Sequence, residues 1–230
     1  SSHEGTAGMT QFGAALIIAK APEPGRAKTR LAPVFGLDGA AELAAAALAD
    51  TIAAVRAIPA RRHVLVLDGP LGPWAPPGLE VIPQASGGLD LRLSAAFEAV
   101  ASSGPAVLVG MDTPQLRPDA FAGFDPERDG ACLGLADDGG YWAIGFADPA
   151  RARAAIAGVP MSTERTGAVQ LARLLAAGLR VHRLATMTDV DSPDEAYDVA
   201  RRHPGTRFAA AVRRRSQPGP GATRDRALVG

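Results

Sequence analysis

Short apolar runs alternate with helix-like segments from Ala14 to Arg202, and that alternation restricts the fold more than any other feature of the chain. The runs are Ala14–Ala19 (AALIIA), His63–Leu67 (HVLVL), Leu79–Pro83 (LEVIP), Ala106–Gly110 (AVLVG), Ala131–Leu135, Trp142–Phe146 and Leu179–Leu184. Brief, near-continuous apolar stretches of this kind belong to strands covered on both faces. Between them lie Asp38–Val55, with Asp38 placed as an N-cap, and Leu89–Ala101, with Leu89, Leu93, Phe97 and Val100 at helical spacing. Pro118 opens a short helix, and Thr166–Ala177 is a helix stopped by Gly178. Ser192-Pro193-Asp194-Glu195 reads as a capping box whose helix runs to about Arg202. Strands alternating with helices predict an α/β fold, a mainly parallel sheet with helices on both faces. In such sheets ligands bind beyond the carboxyl ends of the strands.

Size and composition narrow the function classes. The chain has 230 residues, 47% of them hydrophobic, which suits one packed domain over residues 9–204 with an Arg-rich, flexible tail over 205–230. Residues 201–230 hold eight Arg against Asp225, a balance of +7, so the remaining 16 bases and 23 acids leave the body at −7. An acidic body without interleaved aromatics and basic residues argues against nucleic acid as a partner. No apolar run approaches membrane-spanning length and no charged-then-apolar leader opens the chain, so the expected location is the cytoplasm without a membrane span. The single cysteine, Cys132, and four histidines exclude an internal disulfide and argue against a Cys/His zinc site. There is no G-x-S-x-G motif and no G-x-G-x-x-G after the first strand, which removes the hydrolase and dinucleotide-oxidoreductase readings.

The chemistry gathers after the strands. The chain's two lysines, Lys20 and Lys28, stand with Arg26 and Arg30 on a Gly/Pro-rich loop after the first run. Four cations there suit a di- or triphosphate, with Gly25 and Thr29 in the same loop. Asp112, in Gly110-Met111-Asp112-Thr113-Pro114, closes another run and is placed to hold a divalent ion. Asp189 and Asp191 share one side of an extended segment, where either could supply a second ligand or a base, and both equally suit first-turn acids favoured by the helix dipole. The turn Asp137-Asp138-Gly139-Gly140-Tyr141 carries an acid pair that hairpin chemistry does not require. Gly87 and Gly88, opening a helix, allow close backbone approach to a ligand or form a plain turn.

In this order the motifs resemble a bacterial family of small GT-A-fold proteins, formerly a domain of unknown function, whose members are labelled glycosyltransferases, some of them "arsenosugar biosynthesis glycosyltransferase". The resemblance is carried by Ala19–Leu31, Gly110–Leu116, Asp137–Trp142 and Asp189–Glu195, and covers roughly Ala14 to Arg202. The same landmarks are similar to the phospholactate and molybdenum-cofactor guanylyltransferase families. The resemblance implies that Lys20, Arg26, Lys28 and Arg30 hold phosphates, that Asp112 and Asp191 bind Mg²⁺ or Mn²⁺, and that Gly87 and Gly88 lie by the base or ribose. It further implies that the turn with Asp137, Asp138, Gly139, Gly140 and Tyr141 faces the acceptor; Asp138 is the candidate for acceptor positioning or general base, with Lys28 the second catalytic candidate. Expected partners are a nucleotide or nucleotide-sugar and a small acceptor, with homo-oligomerisation left open. The leading expectation is sugar transfer from a nucleotide-diphosphate sugar. The single acid of Asp112-Thr113-Pro114, where many GT-A enzymes have Asp-x-Asp, is nearer to nucleotidyl transfer with pyrophosphate release. A nucleotide-binding module without catalysis is a third reading.

Overall fold

The apolar run at 14–19 extends at both ends into strand β1, Phe12–Lys20, in a computed structural model that describes residues 11–216. The other elements are α1 (Ala32–Arg56), β2 (Ala60–Asp68), β3 (Glu80–Pro83), α2 (Leu89–Glu98), β4 (Ala106–Gly110), β5 (Ala131–Leu135), β6 (Tyr141–Phe146), α3 (Ala152–Ile156), α4 (Thr166–Ala176), β7 (Val181–Arg183), α5 (Pro193–Arg202) and α6 (Arg207–Ser216). The strands form one mixed sheet in the order β3-β2-β1-β4-β6-β5-β7, in which only β6 runs against its neighbours. The α/β architecture is therefore as expected.

Successive residues of a strand face opposite sides, and both sides are covered. Ala15, Ile17, Val107 and Val109 pack with Leu48, Ile52 and Val55 of α1, whereas Leu16, Val64 and Leu108 pack with Leu93 and Phe97 of α2, Ile156 and Leu174. A third cluster joins the outer side of α1, through Leu43 and Ala47, to Val199 of α5 and Phe208 and Val212 of α6. Cys132 is fully buried in β5, where burial pushes its thiol pKa up.

Three expectations are corrected here. The helix beginning at Asp38 starts earlier, at Ala32, and breaks at Gly36 (φ 73°, ψ 169°); Asp38 makes no capping bond among the described residues, because the bend is set by a glycine backbone. Thr29–Arg56 is long and apolar enough, by length and composition, to cross a membrane, yet half of its apolar window is buried inside the protein. Many short Ala residues make this stretch apolar without forming a continuous run of large side chains. The segment from residue 205 is not a flexible tail up to Ser216. It is helix α6, whose Phe208, Ala209, Ala211 and Val212 are buried while Arg214 and Arg215 pair with Glu42 of α1. The arginines mask an apolar stripe at 208, 209, 211 and 212. Residues 217–230 of the expected tail lie outside the described residues.

Candidate functional site

The carboxyl ends of β1, β2, β3 and β4 meet the start of antiparallel β6 at one edge of the sheet, and a cleft of about 740 Å³ opens there. Its floor is strand backbone. One flank is the loop after β1, in which buried Ala21 and Ala27 and the bond from Ala21 N to Asp68 O pin the chain while Lys20, Arg26 and Arg30 stay exposed. Arg26 donates to Asp68 Oδ1 at 2.8 Å and lies 3.8 Å from Glu23; Arg30 donates to Asp191 Oδ2 at 2.7 Å. The expected cation cluster thus lines the cleft together with Thr29.

Lys28 behaves differently. Its side chain is 3% exposed, its ammonium lies 2.5 Å from Asp112 Oδ1 and 3.8 Å from Asp191 Oδ1, and it also donates to the carbonyl of Val190. Its backbone is left-handed (φ 54°, ψ 35°), a conformation that costs a non-glycine residue about 1–2 kcal/mol. Contacts on three sides hold it there.

Two loops supply the acids. Asp112 follows β4, and its carbonyl accepts a bond from Val190 N at 2.9 Å, which ties it to the segment before α5. That segment ends in the expected capping box, where Glu195 accepts from Asp191 N and Ser192 N and so fixes Asp191 beside Lys28. Buried side-chain polar atoms without a partner, among the described residues, are Thr113 Oγ1, Gln115 Oε1 and Asp189 Oδ1, all on these same two loops. Burial, and next the nearby Asp112 carboxylate, push the Asp189 pKa up to about 7. Native Asp189 therefore holds its proton where the unfolded chain has lost it, so stability falls as pH rises from about 4 to 7. Asp189→Asn should lose that slope and melt above the parent at pH 8, read by thermal unfolding at pH 5 and 8 without metal. An unchanged slope would deny Asp189 this role.

On the far side of β4, Asp138, Gly140 and Tyr141 line the cleft beside Met161, Ser162, Thr163 and Glu164. Asp138 accepts from Gly140 N, which shapes the turn. Gly139 serves packing: it has φ 89°, and a Cβ there would sit 2.0 Å from the Glu164 carbonyl. Asp137 accepts a 2.6 Å bond from the Thr188 hydroxyl and does not line the cleft. The Tyr141 hydroxyl is turned toward buried Gln170, at 3.4 Å. Gly25, Gly87 and Gly88 also stand outside the lining, although Leu89, next to Gly88, is part of it.

Several lining residues escaped sequence reading. Gln84 donates to the carbonyls of Ala19 and Val66, bridging strand ends, and Arg92 of α2 reaches Gln84 and the Gly87 carbonyl. Arg92 also lies 3.7 Å from Asp68, which sits between it and Arg26. Asp68 was detectable, because like Asp112 it follows an apolar strand. Arg92 and Ser162–Glu164 carry no local signal.

The model of a family described as "Uncharacterized protein conserved in bacteria (DUF2064)" matches residues 40–163, more than half of the chain. The chain belongs to this family. The matched span of this DUF2064 member holds Asp112 and the Asp137–Tyr141 turn, while the cation loop and Asp189–Asp191 flank it. Among solved structures, a candidate nucleotide-diphospho-sugar transferase from Desulfovibrio desulfuricans G20 is 23% identical, with TM-score 0.80, covering 89% of this chain and 95% of that one. The T. maritima inositol-1-phosphate CTP transferase is 15% identical with TM-score 0.51 (86% and 99% covered). Rv0371C of Mycobacterium tuberculosis H37Rv, in complex with manganese, is 18% identical with TM-score 0.50 (83% and 98% covered). These likenesses establish a shared nucleotide-diphospho-sugar transferase-like fold. No curated protein matches the chain.

Proposed function

We propose that the chain is a divalent-metal-dependent glycosyltransferase that moves a sugar from a nucleotide-diphosphate sugar to a small-molecule acceptor. The observation that carries this reading is the convergence of Asp112 and Asp191 on one cation position, the Lys28 ammonium, beside a loop of further cations. Hard carboxylate oxygens with an unpartnered buried atom among them fit Mg²⁺ or Mn²⁺. Asp112 and Asp191 would hold the ion, with Asp189 behind them. When bound, such an ion neutralises charge on a departing diphosphate. Lys20, Arg26, Lys28 and Arg30 would share that charge, in a cleft whose strand-end position suits a nucleotide. Gly25 and Thr29 complete the phosphate loop, and Gly87 and Gly88 lead into the wall at Leu89 where the base or ribose would rest. Asp138 would take the acceptor's proton, and Gly140 and Tyr141 would shape the acceptor side, braced from behind by Asp137 and Gly139. The manganese complex of a protein with this fold supports the metal assignment.

Nucleotidyl transfer is the second reading. It is favoured by one feature: the acids opposite Asp112 come from a separate loop rather than from an adjacent Asp-x-Asp. A thermal-shift panel of nucleoside triphosphates, diphosphates and nucleotide sugars, each with and without Mn²⁺, tests both. A ligand at a hundred times its Kd adds about 2.7 kcal/mol. That corresponds to a rise of roughly 5–10 °C for a domain of this size. Manganese-dependent stabilisation by one diphosphate and its sugars is the expected result. Stabilisation by a single triphosphate, followed by pyrophosphate release, would replace sugar transfer with nucleotidyl transfer.

A further inference from the structure

Among the four loop cations, Lys28 stands apart. Arg30 is largely exposed, Arg26 is partly exposed and Lys20 is exposed at the end of β1, whereas the Lys28 side chain is almost wholly enclosed. Its ammonium is held at the cleft wall by Asp112, Asp191 and the Val190 carbonyl. A divalent ion bonded to carboxylate oxygens sits at about 2.0–2.6 Å from them. The Lys28 ammonium is 2.5 Å from Asp112 Oδ1, so an ion on that oxygen and the ammonium compete for one place. Two cations in contact there would also repel strongly.

We propose that Lys28 is a built-in counter-cation, whose ammonium neutralises the acid cluster of the metal-free protein and is displaced by the incoming divalent ion. The displaced ammonium turns outward to the phosphates of the nucleotide. This goes beyond the proposed function, which assigns Lys28 only to phosphate, and it rests on the metal site of that reading. Lysine suits such a role because its charge rides on a flexible four-carbon stem. Arg30 cannot substitute: its guanidinium is exposed and bonded to Asp191 alone. Metal and diphosphate then assist one another, since metal binding frees the ammonium and a phosphate holds it in its new place.

The test is calorimetric titration of the metal-free protein with MnCl₂, alone and with inorganic pyrophosphate as the phosphate probe. Lys28→Asn removes the charge while tolerating the left-handed backbone. Lys28→Arg keeps the charge and serves as the second variant, with circular dichroism confirming that both are folded. Lys28→Asn is expected to bind Mn²⁺ about tenfold more tightly than the parent in the absence of pyrophosphate, within the usual range for coupled sites. Pyrophosphate should tighten Mn²⁺ binding to the parent and to Lys28→Arg, and do so much less for Lys28→Asn. Equal or weaker Mn²⁺ binding by folded Lys28→Asn would overturn the inference while leaving the metal site standing. If neither the parent nor the variant binds Mn²⁺, the metal reading itself falls and the counter-cation with it.

Discussion

Asp112→Asn should abolish Mn²⁺-dependent nucleotide binding and lower turnover by about 10²–10³-fold while the protein stays folded. The substitution keeps the side-chain shape and leaves the Asp112 carbonyl free to accept from Val190 N, so the junction between the two acid-bearing loops survives. What it removes is the charge that faces Lys28 and the proposed ion. Asp112 is on the surface side of the β4 end and contributes little to the core, so the melting temperature should fall by only a few degrees. Titration with Mn²⁺ and the stabilising nucleotide, alongside a turnover assay, checks both halves. Undiminished affinity would take Asp112 out of the site.

Phe208→Ala should cost about 3–5 kcal/mol, as for other large aromatic truncations in a packed core. Phe208 is fully buried in the cluster shared by α1, α5 and α6, and α6 has no sheet to support it once that contact is lost. For a chain of this size, the loss corresponds to a drop of roughly 10 °C in melting temperature. A shortened chain ending at residue 204 should be worse, because it also exposes the outer side of α1 at Leu43 and Ala47 and leaves Asp50 without its bonds from Arg207 N and Phe208 N. Thermal or urea unfolding of both proteins tests this. A melting temperature within a degree or two of the parent would restore the expectation of a flexible tail for this segment.

The strands and most helices were legible because their signals are local. A run such as AVLVG, buried on both faces, announces itself without knowledge of its neighbours, and β4 and β5 occupy the expected residues. Ser192 and Glu195 form the box that their spacing implies, because capping bonds span only three residues. Helix α6 was illegible for the opposite reason. Its burial depends on a groove of α1 and α5 lying far off in sequence, while its composition reports only charge.

The site divides in the same way. The sequence by itself determined which residues carry charge beyond the strand ends: the Lys20–Arg30 loop, Asp112, Asp138 and the Asp189–Asp191 pair all reach one cleft, because a sheet of parallel strands delivers the residues after them to a common edge. Only the tertiary structure decided what those charges do to one another. It turned Lys28 inward to the carboxylates, enclosed Asp189 Oδ1 without a partner, set Asp137 against Thr188 and the Tyr141 hydroxyl against Gln170, and added Arg92 and Ser162–Glu164 to the wall. Those outcomes depend on distances of a few ångströms between segments up to 162 residues apart, and a one-dimensional pattern holds no record of them.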